Sequence, residues 1–159
     1  MWEKIKTFKG YVFLFLLFCA VSGGLFGVIV TNDWHNVSIT NLFPEPTVSK
    51  AVLIVFSIFA YLMQGIAFGL VYERREHAAY KTANFLFFTQ FVLGIFWLFL
   101  FFTIQSMGFA AFDLFAVVML LMATYAKFKE ISTIAAWLLL PYALQIAALG
   151  IISGYFYVI

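Results

Sequence analysis

Long apolar runs alternate with short polar punctuation along this 159-residue chain, and every charged side chain except Asp113 falls in one of five short clusters. A helix crossing a bilayer needs about 20 predominantly apolar residues, because backbone N–H and C=O groups find no water in hydrocarbon and must pair within the segment. Five runs meet that length: Tyr11 to Val30, Ala51 to Tyr72, Thr82 to Thr103, Phe109 to Ala126 and Ile131 to Tyr157. The pattern predicts an all-α integral membrane bundle of five transmembrane helices, forming a single domain over residues 1–159, with one long loop at 31–50.

Composition supports lipid as the main solvent of this fold. Hydrophobic residues make up 65% of the chain and charged ones 10%, and 22 phenylalanines exceed what the core of so small a soluble domain could hide. The start, MWEKIKTFKG followed by YVFLFLLFCAVSGG, also reads as a basic n-region and apolar h-region of a signal peptide. Apolar character continues to residue 30, however, which is span length and favours a retained helix. Cys19 follows Phe18 rather than a small residue and reads as an apolar packing residue; as the single cysteine it forms no intrachain disulfide.

The basic residues assign sides. Lys4, Lys6 and Lys9 lie in the N-terminal tail, Arg74, Arg75 and Lys81 between spans two and three, and Lys127 and Lys129 between spans four and five. In a five-span protein these regions share one side, leaving Lys50 alone on the other, so eight basic residues oppose one. The positive-inside rule then predicts a cytoplasmic N-terminus and an external C-terminus in a bacterial cell membrane. The net charge of +2 is spread over separate loops and partly offset by Glu3, Glu73, Glu76 and Glu130, which gives no stripe for nucleic acid.

Candidate chemistry within the spans is sparse. An ionisable group in hydrocarbon is costly and tends to mark a functional path. Asp113 is the one such group, and the predicted start at Phe109 puts it in the first turn of the fourth span, where it reads as a helix-start or interface acid. His35 and His77 fall in loops on opposite sides and share no metal site, and the chain shows no nucleophile–base arrangement or phosphate loop. What remains is uncharged polarity with aromatics: Ser57, Tyr61 and Gln64; Thr89, Gln90 and Trp97; Tyr142 and Gln145 after Pro141. Tyr61 and Gln64 share a helical face, as do Gln90 and Trp97. Such residues either hydrogen-bond between helices or line an apolar pocket with a few polar groups. Pro141 is expected to kink the fifth span. Gly23/Gly27, Gly65/Gly69 and Gly150/Gly154 form small-xxx-small pairs suited to close helix packing or a homodimer.

The stretches SIFAYLMQGIAFGLVY, TQFVLGIFWLFLFF, AAFDLFAVVMLL and AAWLLLPYALQ occur in an order and spacing that resemble the TspO/MBR family, the translocator or tryptophan-rich sensory proteins. The resemblance runs from about Ser22 onward and includes a first loop with Trp34, Pro44 and Pro46. It matches Tyr61, Gln90, Trp97, Asp113, Pro141 and Tyr142 to the family pattern. Departures are Ser57 and Gln145 where the family has tryptophan, Gly94 where it has asparagine, and the reduced entry PEPTVSKAVL.

The resemblance implies a five-helix bundle, often dimeric, with a pocket under the first loop for porphyrins and hydrophobic drug-like ligands. Its lining here would be Trp34, Ser57, Tyr61, Gln90, Trp97, Tyr142 and Gln145. No cofactor is required; porphyrin or haem is a candidate ligand. Ser57 and Gln145 remove stacking surface, which argues against the light-dependent porphyrin breakdown proposed for some members and for a more polar or differently shaped ligand. The basic residue of the family's sterol motif is missing after the terminal GYFYVI, and the looser Leu70–Tyr72–Arg74 and Leu121–Tyr125–Lys127 matches carry little weight. Two functions follow as expectations: a non-enzymatic membrane receptor or carrier for a small hydrophobic or amphipathic ligand, or a partner-binding membrane subunit without the ligand site.

Overall fold

The computed structural model describes residues 15, 18, 19, 21–25 and 50–158, and only the backbone of 50–53 and 152–158. All regular structure among them is helical: α1, described over 21–25, then α2 (Lys50–Tyr72), α3 (Tyr80–Leu98), a π-helical turn (Phe99–Thr103), α4 (Met107–Ile131), α5 (Thr133–Trp137) and α6 (Leu140–Val158). Among the described residues four stretches are long and apolar enough to cross a bilayer: Ile54–Tyr72, Tyr80–Thr103, Met107–Ile131 and Thr133–Ile151. Most of the expected first span, the tail with Lys4, Lys6 and Lys9, and the first loop with Trp34 and His35 lie outside the described residues.

Inward faces follow helical spacing. On α4 the buried side chains are Ala110, Asp113, Leu114, Val117, Leu121, Thr124, Phe128 and Ile131, a stripe at three- and four-residue steps. Phe109, Phe112, Phe115, Met119 and Met122 stand between them on the outer face. An outer surface that apolar is stable only against lipid, where leaving a phenylalanine exposed costs nothing relative to burying it.

Contacts arrange the helices in a ring. Phe15 and Phe18 of the first segment meet Phe68 on α2 and Phe87, Phe88 and Phe91 on α3. α2 packs on α6, α6 on α4, and α4 on α3, closing the order α1, α2, α6, α4, α3. At one end the rings of Phe68, Phe87 and Phe128 stack across three helices, with centroids 4.7 Å and 5.8 Å apart. The closest backbone approach is at Gly23, where a Cβ would lie 2.7 Å from the Ser57 carbonyl oxygen and 2.9 Å from Tyr61 Cβ. Gly23 thus serves the close packing expected of the glycine pairs, whereas a Cβ on Gly150 would meet no described atom within 4 Å.

The fourth span differs from expectation at both ends, the fifth breaks at the expected kink, and the third closes at the expected Thr103 in an unexpected turn, each for a local reason. The fourth helix begins at Met107 and continues past Ala126 through Lys127 and Lys129 to Ile131, because its inward stripe continues through Phe128 and the charged side chains project outward. Lys127 Nζ pairs with Glu130 Oε1 at 2.7 Å, one turn along that outer face. The fifth span is broken: α5 ends at Trp137 and α6 starts at Leu140, since Pro141 has no N–H for the Trp137 carbonyl and its ring crowds that turn. The third span ends in the π turn, where Ile104 N–H donates to the Phe99 carbonyl at 3.0 Å. Gln105 follows with φ 55°, a left-handed residue that reverses the chain into α4.

The end that carries the phenylalanine stack, opposite the α3–α4 turn, is tied by side chains. Arg74, in the loop between α2 and α3, donates through Nη1 to the carbonyl of Ile131 at the end of α4. Arg75 lies 5.3 Å over the Tyr72 ring. The second and fourth interhelical connections therefore share one end of the bundle, as the basic clusters required.

Candidate functional site

Tyr142 is the centre of a buried polar cluster. Pro141 fixes the start of α6, and Tyr142 in its first turn is carried into the bundle with no exposed surface. Its ring meets Tyr61 of α2 edge-on, with centroids 5.4 Å apart at 84°. Its hydroxyl reaches α3 at Gly94, where a Cβ would lie 2.5 Å from that oxygen. Any larger residue at 94 would expel the hydroxyl from this position, so the asparagine-to-glycine departure and the placement of Tyr142 form one arrangement.

One turn further along α6, Gln145 Nε2 donates to Ser57 Oγ of α2 at 3.2 Å. The two positions where the resemblance led us to expect tryptophan are therefore hydrogen-bonded to each other. Gln64 lies one turn from Tyr61 on α2, and Gln90 one turn from Gly94 on α3; both are fully buried. Neither amide has a partner for its nitrogen or its oxygen among the described residues. The same holds for Gln145 Oε1, the Tyr142 hydroxyl and Asp113 Oδ2. A buried polar group left unpaired costs about 1–3 kcal/mol, and folded proteins contain few of them.

Asp113 requires a correction. It lies in the second turn of α4, not the first, because the helix begins at Met107; the N-cap is Ser106. It is 7% exposed while its neighbour Phe112 is 71% exposed, so the carboxyl faces the interior and Phe112 faces lipid. α4, which carries it, packs on α6, which carries Tyr142. It is an intramembrane acid belonging to the polar cluster, not a helix-start residue reaching the interface.

Of the expected lining, Ser57, Tyr61, Gln90, Trp97, Tyr142 and Gln145 are all buried. The structure joins Ser57 to Gln145 and Tyr61 to Tyr142. Trp97 stacks on Phe101, with centroids 4.9 Å apart at 28°, one turn beyond Gly94. Trp34 lies outside the described residues. Thr89 turns away, donating to the Phe85 carbonyl of its own helix at 2.8 Å. Gln64, Gly94 and Asp113 join the cluster without having been counted in the lining. The signal for Gln64 was its three-residue step from Tyr61; Asp113 had none, since apolar residues flank it on both the lipid and the inward face.

No group of three or more metal-ligating side chains occurs among the described residues. His77 is occupied locally, its Nδ1 accepting from Ala79 N–H at 3.2 Å in the loop before α3. No match is found among curated proteins. A profile of the TspO/MBR family matches residues 14–158, nearly the whole chain. With four bilayer-length helices, a lipid-facing apolar exterior and that match, the chain is a multi-pass integral membrane protein belonging to the TspO/MBR family.

Proposed function

We propose that this protein is a non-enzymatic membrane receptor or carrier that takes a small hydrophobic or amphipathic ligand between its helices, at the cluster around Tyr142. The observation that carries the reading is the set of unpaired polar atoms on Gln64, Gln90, Asp113, Tyr142 and Gln145, contributed by four helices and enclosed by aromatic rings. Sites for small molecules have this composition, mostly apolar with a few polar groups that fix orientation. The protein would sit in a bacterial cell membrane with its N-terminus and the Arg74 end in the cytoplasm.

Thermal-shift and tryptophan-quenching titrations in detergent, with porphyrins, haem and lipophilic drugs, test this. A saturable shift with at least one of them is expected, together with weaker binding in Trp97→Ala and Gln145→Ala. Unchanged affinity in both variants would mean that these residues only join helices. The open surface at Gly150 favours a second reading, a subunit that packs a partner helix there. Failure of every ligand, with stable co-purification of another membrane protein, would establish that reading instead.

A further inference from the structure

The unpaired atoms of the cluster are unequal in kind. Four are oxygens that accept hydrogen bonds when Asp113 is ionised: Gln64 Oε1, Gln90 Oε1, Gln145 Oε1 and Asp113 Oδ2. Two are amide nitrogens, on Gln64 and Gln90, and the Tyr142 hydroxyl can act either way. Exchanging the oxygen and nitrogen of Gln64 or Gln90 leaves this balance unchanged, because both atoms of each amide are unpaired. Acceptors thus outnumber donors, and one of them belongs to an acid.

That acid has no internal counter-charge among the described residues. Arg74, Arg75 and Lys81 lie in and just after the α2–α3 loop, and Lys127 and Lys129 in the last turns of α4. Asp113 sits near the other end of α4, 18 residues before Ile131, or about 27 Å at the helical rise. A carboxyl enclosed in a bundle, with every cation whose side chain is described at the far end, is complementary to a ligand that brings its own.

We infer that the cluster selects ligands bearing a protonated amine on an apolar ring system, with the ammonium against Asp113. This deepens the pocket reading and rests on it. A ligand carrying a carboxylate would place like charge beside Asp113 and bind more weakly than its neutral counterpart.

Three probes of one skeleton separate the contributions: 1-naphthylmethylamine, 1-naphthylmethanol and 1-naphthaleneacetate, measured by calorimetry on the full chain in neutral detergent. The amine is expected to bind about tenfold or more tighter than the alcohol, the size of a charge-assisted hydrogen bond in a dry site, and the acetate weakest. In Asp113→Asn the amine's advantage over the alcohol should fall to within about twofold, while Asp113→Glu should retain it. Parity of amine and alcohol in the unaltered protein overturns the inference but leaves the pocket reading standing, since the alcohol then binds. An advantage that survives Asp113→Asn removes Asp113 from the role. Failure of all three probes also overturns the inference, and the porphyrin and drug panel then decides the pocket reading separately. If Asp113→Asn does not fold, the probe order in the unaltered protein and in Asp113→Glu decides.

Discussion

At the scale of single residues, glycine and glutamine do opposite things in this bundle. Gly23 exists for closeness: a methyl group there would enter the Ser57 carbonyl and Tyr61 Cβ. Gly23→Ala should therefore destabilise the protein by about 1–3 kcal/mol, read as a lower melting temperature in detergent. Gly94→Ala should act differently, because the obstacle is the tip of a side chain rather than backbone; Tyr142 swings away, and ligand affinity falls more than melting temperature does. Gln64 and Gln90 hold unpaired amides at a cost to the fold. Gln90→Leu removes that cost and should raise stability by about 1 kcal/mol while weakening ligand binding. An unchanged or lower melting temperature would mean that Gln90 has a partner in the free protein. The sequence shows Tyr61, Gln64 and Gln90 as polar residues sharing faces, but not the inward turn of Asp113. Phe112 and Leu114 flank it with equal hydropathy, one facing lipid and the other the bundle. Where solvent and core are both apolar, hydropathy distinguishes no face, so the stripe that would have placed Asp113 was hidden.

At the scale of elements, span lengths were legible and span interiors were not. Length is set by bilayer thickness and leaves a clear run of apolar residues. The π turn at Phe99–Thr103 follows instead from how Trp97, Phe101 and Phe102 pack against one another, which no local rule of composition encodes. Its exit through Gln105 places a side chain at φ 55°, a conformation that favours glycine. Gln105→Gly should relieve about 1 kcal/mol of that strain and raise the melting temperature slightly, provided the turn keeps its shape. The break at Pro141 was foreseeable from the residue itself, and it has a use: a fresh helix start places Tyr142 independently of the direction of α5.

At the scale of the whole molecule, charge supplies topology and lipid-facing phenylalanines supply solubility in the bilayer, leaving the interior free to carry polarity. A C-terminal reporter that is active only outside the cytoplasm should give full signal if the basic end of the bundle is retained inside. The Arg74 contact with Ile131 links two hairpins that are 57 residues apart in the chain. On the positive-inside expectation its charge would act first, holding the α2–α3 loop on its own side before α4 has been made. Only once the second hairpin has arrived does the same guanidinium find a carbonyl to close on. Insertion and final assembly are thus successive duties of one side chain, and they demand different chemistry: the first needs any cation, the second a broad planar donor. Arg74→Lys should accordingly enter the membrane the same way round and yet melt earlier, which separates the direction in which the chain is threaded from the firmness with which it is fastened.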